Sequence, residues 1–231
     1  MSETVSLYQH PDPMGASDPS LLAVDPSMNQ CGVAIAQMVN PLDRFILASG
    51  RILPPREASD AKRVAYVGKC IKDLARVWNV QRIVVEAPTS LYVKKGRSLD
   101  ALKVLLVIGG VYAAGGFLEI PVIGITVKQW KGSGSQSKDH SVALAKALWP
   151  LDTMASDDEA EARLIALGLA QPDELRAAIG LLKLGTPIEK VLGCFRREWQ
   201  WGPREMDRID ALVAKNRLTG VAGSRKGRPV A

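Results

Sequence analysis

Two short apolar runs in this chain each end in an acid. Leu21-Leu22-Ala23-Val24 runs into Asp25, and Ile83-Val84-Val85 runs into Glu86. Runs of this length and make-up read as strands. An acid at a strand end points off the sheet edge, where α/β sheets commonly build their sites. A third acidic group, Asp157, Asp158, Glu159 and Glu161, opens a helical stretch. Positions three or four apart share a helix face, so Asp158 can point with Glu161, and so can Asp157. Each acid also has a plainer reading: Asp25-Pro26-Ser27 suits a turn, and acids at a helix start favour the positive end of its dipole. Together, carboxylates in a chain with only two histidines, His10 and His140, form an oxygen-rich ligand set. That suits Mg²⁺, or Mn²⁺ in its place, rather than zinc. A pair of such ions about 3.5–4 Å apart clamps an in-line phosphoryl displacement.

The elements that must position these acids follow from the hydrophobic pattern. Strands are predicted at 21–24, 31–36, 45–52, 81–85 and 121–127, and helices at 58–79, 99–115, 137–147 and 156–169. Strands first and alternating helix and strand afterwards predict an α/β domain over 20–170, a mixed five-stranded sheet flanked by helices. Residues 1–19, polar and rich in Pro, Ser and Asp, are expected to be a disordered arm. Beyond 170 the pattern turns wholly helical, with stretches at 173–184, 187–199 and 203–218 punctuated by Gly185-Thr186-Pro187 and Trp201-Gly202-Pro203. Two readings of this 171–220 extension stand. One is a helix-turn-helix module whose third helix offers Arg204 and Arg208 to DNA; the other is a helical cap or dimerisation arm. Residues 221–231 form a basic tail.

Composition narrows the class. The chain has 231 residues, 47% hydrophobic and 23% charged, as in an ordinary globular protein. A net charge of +6 favours partners that carry phosphate. The cysteines, Cys31, Cys70 and Cys194, are odd in number and far apart, which argues against a disulfide framework or a zinc site. No secretory signal pattern opens the chain. The longest apolar stretch, 104–118, holds four glycines and reads as too short to cross a bilayer, so a cytoplasmic protein without a membrane partner is expected. Two basic loops suit phosphate contacts: Tyr92, Lys94, Lys95 and Arg97 beside Glu86, and Lys128, Lys131 and Lys138 in or beside the Gly/Ser-rich run WKGSGSQSK.

In order and spacing, residues 20–170 resemble the RuvC-type Holliday junction resolvases. The resemblance lies in LLAVDPSMNQCGVAIAQ, VQRIVVEAPTS, SLDALKVLLVIGGVYAA, PVIGITVKQWKGSGSQSKDHSVALAKAL and ASDDEAEARLIALGLA. It implies an RNase H-like fold and an Mg²⁺-dependent endonuclease that resolves four-way DNA junctions as a homodimer. It also implies a metal-binding tetrad of Asp25, Glu86, Asp158 and Glu161, with Lys138, and Lys128 as a second, near the scissile phosphate. The chain departs from the family in three ways. The second acid of the last helix is Glu161 where the family has aspartate, and Asp157 rivals Asp158. The aromatic wedge expected just after the second acid is missing, with Tyr92 the nearest substitute. The C-terminal extension is the kind of addition a divergent, phage-encoded member would carry. Two other readings stand beside this one: a nuclease of the same fold acting on flaps, single strands or RNA/DNA hybrids, and a non-catalytic DNA-binding or regulatory protein.

Overall fold

A computed structural model describes residues 5–9, 20–37, 46–88, 98–131, 138–150, 154, 156–170 and 172–195. Six strands form one sheet in the order β1 (Val5–Gln9), β4 (Ile46–Ile52), β3 (Cys31–Gln37), β2 (Ser20–Asp25), β5 (Val80–Ala87) and β6 (Val122–Thr126). Hairpin pairing makes β1, β4, β3 and β2 antiparallel, whereas β5 and β6 return parallel to β2. The crossovers are α1 (Asp60–Val77), between β4 and β5, and α2 (Ser98–Phe117), between β5 and β6. After β6 come α3 (Val127–Lys131), α4 (Lys138–Leu148), α5 (Asp157–Ala170), α6 (Pro172–Lys183) and α7 (Ile188–Val191).

Strand alternation divides the core between the two faces of the sheet. Leu22, Val24, Val33, Ile35, Ile83 and Val85 pack with α1 and α2. Leu21, Ala23, Ala34, Ala36 and Val84 pack with α4, α5 and α6. On this second face the strands carry mostly small side chains, and α5 settles directly on the sheet. From Glu159 to Leu169 every residue of α5 is buried, Gly168 against Trp130 and Leu175 included, with sheet below and α4 and α6 above. A helix apolar all round belongs in such a place. On the other face, α1 and α2 approach through Gly68 and Gly110. A Cβ at Gly110 would stand 2.9 Å from Val64 Cγ1.

The structure departs from the sequence expectations in four places. The sheet has a sixth strand, because Val5–Gln9, in the arm expected to be disordered, pairs along β4 and covers its open backbone edge. The core crosses the boundary expected at 170/171: Leu175, Ala178, Ile179, Val191 and Phe195 join the α5 core, so the first part of the extension belongs to the α/β domain. The helix expected over 187–199 is a single turn, α7, followed by a 3-10 turn at Leu192–Cys194 and extended backbone at Phe195. Finally, Leu99–Phe117 in α2 is long and apolar enough to cross a membrane by length and composition, against the shorter span expected. Here Val107, Ile108, Val111 and Ala114 are packed into the α1 core, while Leu99, Leu102, Leu106 and Phe117 lie exposed. As expected from the Gly-Thr-Pro break, α6 ends at Lys183 and the chain turns at Gly185, whose φ of 76° is glycine's own territory. Thr186 N–H returns to the Leu181 carbonyl and Gly185 N–H to that of Leu182, satisfying the helix end.

Candidate functional site

Asp25 and Glu86 are brought together by register. Val24 lies beside Val85 in the parallel β2–β5 pair, so the residue after each stands at the same end of adjacent strands. By alternation both share the face of Ala23 and Val84, the face that α5 covers. The other two acids come from the first turns of α5. Their approach depends on Gly32, the β3 partner of Asp25. A Cβ on Gly32 would fall 1.9 Å from the Asp158 carbonyl oxygen and 2.3 Å from its carbon. Only glycine lets the helix start this close to the sheet. The acids at this edge act on one another electrostatically. Burial, and then the charges of Glu86, Glu161 and Asp158 in turn, hold the Asp25 carboxyl well above the usual carboxylate range, offset in part by Lys138. Burial also raises Glu86, against the pull of Lys131 and of a hydrogen bond from Trp130.

Each of the other three acids is already engaged by a donor. Trp130 Nε1 donates to Glu86 Oε2 at 3.0 Å. Lys131 Nζ donates to Glu161 Oε1 in a buried ion pair. Lys138 Nζ, from the first residue of α4, reaches Asp158 Oδ1 at 2.8 Å, and Gln30 Nε2 donates to the opposite oxygen at 2.9 Å. The desolvation of Lys138, which would lower its pKa, is outweighed by that hydrogen bond and by the charges of Asp158, Glu161 and Asp25, so its ammonium is held more firmly than usual. Asp157 is exposed, and Glu159 turns away to Ser49 and Arg163. Of the two rivals, Asp158 therefore faces the other acids.

Among the described residues, no three acidic, histidine or cysteine side chains converge tightly enough to grip an ion as they stand. Lysine and indole donors engage three of these carboxylates. The donor chemistry nonetheless fits an oxygen-seeking divalent ion. Four acids, Asp25, Glu86, Asp158 and Glu161, face two lysines, Lys131 and Lys138, so the negative side exceeds the positive by two when all are ionised. A cation would offset both the burial and the like charges that raise Asp25. The nearby thiol is no rival ligand. Cys31 donates to the Ser27 carbonyl at 2.9 Å, and burial holds its pKa up at about 12.

Lys131, expected to touch DNA from a loop, instead lies buried beside Glu161 on the short helix α3. Lys128 shares that helix. Trp130, Gln30 and Gly32 went unremarked in the sequence, and only Trp130, a tryptophan beside two lysines, offered any signal. Tyr92, Lys94, Lys95, Arg97, Arg204, Arg208 and the basic tail lie outside the described residues.

No protein-family model matches the chain, and no curated protein does. Solved structures do. The chain is similar to a structure described as T. thermophilus RuvC in complex with Holliday junction substrate, at 17% identity over 72% of this chain and 96% of that one, with a TM-score of 0.53. A Thermus thermophilus RuvC structure matches at 16% identity over 72% and 97%, TM-score 0.51. The crystal structure of the yeast mitochondrial Holliday junction resolvase Ydc2 matches at 14% identity over 64% and 77%, TM-score 0.43. The fold is thus the RNase H-like fold of the RuvC-type resolvases.

Proposed function

We propose that this protein is a divalent-metal-dependent endonuclease that cuts branched DNA, a four-way junction resolvase. The observation that carries the reading is the meeting of four carboxylates, from two adjacent parallel strands and one helix, in a single electrostatic neighbourhood. The fold, and the junction substrate held by one structural neighbour, support branched DNA as the target. Asp25, Glu86, Asp158 and Glu161 would hold two Mg²⁺ ions, or Mn²⁺ in their place. Bound there, the ions would supply activation of the attacking water and charge stabilisation at the leaving oxygen. The chain's own groups do the rest. Trp130 fixes the Glu86 carboxylate through its N–H, and Lys131 does the same for Glu161 from below. Lys138, more than half exposed at the rim, has the length and charge to meet a phosphate oxygen entering above Asp158.

Cutting a four-way junction symmetrically calls for two such sites related by a twofold axis. The open face of α2 supports a second copy of this chain as the partner. Leu99, Leu102, Leu106 and Phe117 recur along one side of the helix, each more than half exposed. Leu102→Glu with Leu106→Glu is expected to convert a dimer to a monomer in sedimentation. An unchanged sedimentation coefficient would remove α2 from the interface.

The decisive experiment incubates the full chain with Mg²⁺ and, in parallel, a four-way junction, a flap, a duplex and an RNA/DNA hybrid. The junction is expected to be cut most. Asp25→Asn and Glu86→Gln are expected to abolish cutting while junction binding persists. Normal cutting by either variant would refute the site, and preference for the hybrid or flap would refute the substrate.

A further inference from the structure

Gln30 belongs to two places at once. Its amide donates to Asp158, and it also lines a cleft of about 620 Å³ on the side of Asp158 opposite Lys138. Asn29, Arg56 and Arg63 line the same cleft, with an apolar wall from Leu53 to Pro55. None of the lining residues is acidic. The nearby Asp60 faces Lys103 at 3.9 Å, and Glu57 is exposed outside the lining.

The cleft is built rather than incidental. Arg63 Nε donates to the Ala58 carbonyl at 3.1 Å and its NH1 to Asn29 Oδ1 at 2.7 Å, while its NH2 donates to the Arg56 carbonyl. One guanidinium so ties α1 to the turn after β2 and to the 56–58 loop. Arg51 NH1 donates to Gln30 Oε1 at 3.2 Å, which fixes the amide with its NH₂ toward Asp158. Arg56 stands exposed at the rim. Cationic and amide donors with no carboxylate among them, beside a short apolar wall, match a sugar-phosphate backbone.

We propose that this cleft takes phosphates of the DNA strand flanking the cut. Arg56 and Arg63 are its cations, and Gln30 is the joint that couples strand position to Asp158. The proposal rests on the nuclease reading for what lies across Asp158, whereas the charge and lining of the cleft point to phosphate independently.

The test measures binding of a fluorescent four-way junction to the full chain by anisotropy, in Ca²⁺ and in EDTA, over a salt series. Each phosphate that the protein ceases to neutralise flattens the slope of log K against log salt by about 0.9. Arg56→Gln is expected to flatten it by about that amount and to weaken binding several-fold at about 0.1 M salt, while Arg56→Lys recovers most of the slope. Wild-type slope and affinity in Arg56→Gln overturn the cleft, and cutting by the wild-type chain in the same preparation would leave the nuclease reading intact. A flattened slope in a chain that never cuts supports the cleft and sinks the nuclease reading instead. Failure of the wild-type chain to bind the junction at all overturns both.

Discussion

Glu159 and Glu161 stand two residues apart near the start of α5, both buried, and they do opposite things. Glu159 sits in a closed network. Ser49 Oγ donates to it, Arg163 NH2 donates at 3.3 Å, and Arg163 Nε returns to Ser49 at 2.8 Å, with Arg163 wholly buried against Trp149. Glu161 sits in an open network, where four acids are answered by two lysines and where burial first, then the neighbouring carboxylates, raise the Asp25 carboxyl. A buried charge with a fixed partner suits a structural role; a buried surplus is what a cation-binding site would carry.

The sharpest way to break the comparison is to remove each acid. Glu159→Gln removes the carboxylate that pairs with buried Arg163, and a loss of about 3–5 kcal/mol in urea unfolding is expected. Glu161→Gln is expected to lose far less, because Lys131 still feels Glu86. Equal losses from the two would erase the distinction between a structural and a functional acid.

Gly32→Ala attacks the same contrast from the sheet. The new methyl would collide with the Asp158 backbone, so the first turn of α5 must lift and carry Asp158 away from Asp25. A misplacement of roughly 1 Å costs about 10²-fold in rate, which junction cutting under single-turnover conditions would read. Cutting at the wild-type rate would show that the start of α5 does not depend on that close approach. Trp130→Phe is subtler, since it keeps an aromatic ring in the core while removing the N–H to Glu86 along with part of the indole. Loss of such a supporting hydrogen bond weakens metal affinity by about tenfold or more. Titrating Mg²⁺ against thermal stability would show it, and an unshifted titration would leave Trp130 a packing residue.

The parts legible in the sequence are those whose cause is local. Asp25 and Glu86 ended apolar runs, and Asp158 and Glu161 shared a helix face by spacing alone. Trp130 and the buried place of Lys131 were hidden because α3 is five residues long, too short for any periodicity, and is followed by a Gly/Ser-rich stretch. Gly32 was hidden because its need comes from a helix that begins 125 positions later, as the numbers of Gly32 and Asp157 give it. The Glu159–Arg163 pair looks like any surface pair four apart, and only the strand residue Ser49 beneath it reveals its depth. Membership of α6 in the core was obscured by the break at Gln171-Pro172, which starts a new helix without starting a new domain.

The smallest expected effect reads the surplus charge directly. Asp25 and Glu86 both bind protons more tightly in the folded protein than their usual values of 3.8 and 4.5 imply for the unfolded chain. The folded state therefore holds the extra protons, and stability falls as pH rises from those values through the raised ones. Below about pH 4 both states are protonated and this contribution is fully present; above the raised values it is gone. Asp25→Asn cannot ionise, so in EDTA it is expected to melt higher than the wild-type chain at neutral pH, with the gap closing toward acid. At this size each kcal/mol moves the midpoint by about 2–4 °C, within reach of calorimetry. Saturating Mg²⁺ should stabilise the wild-type chain and shrink or invert the gap, because an ion that binds only the folded state removes the repulsion that the asparagine had already removed. A gap that stays constant from acid to neutral pH would mean that Asp25 ionises freely. The four acids would then be neighbours without being a site.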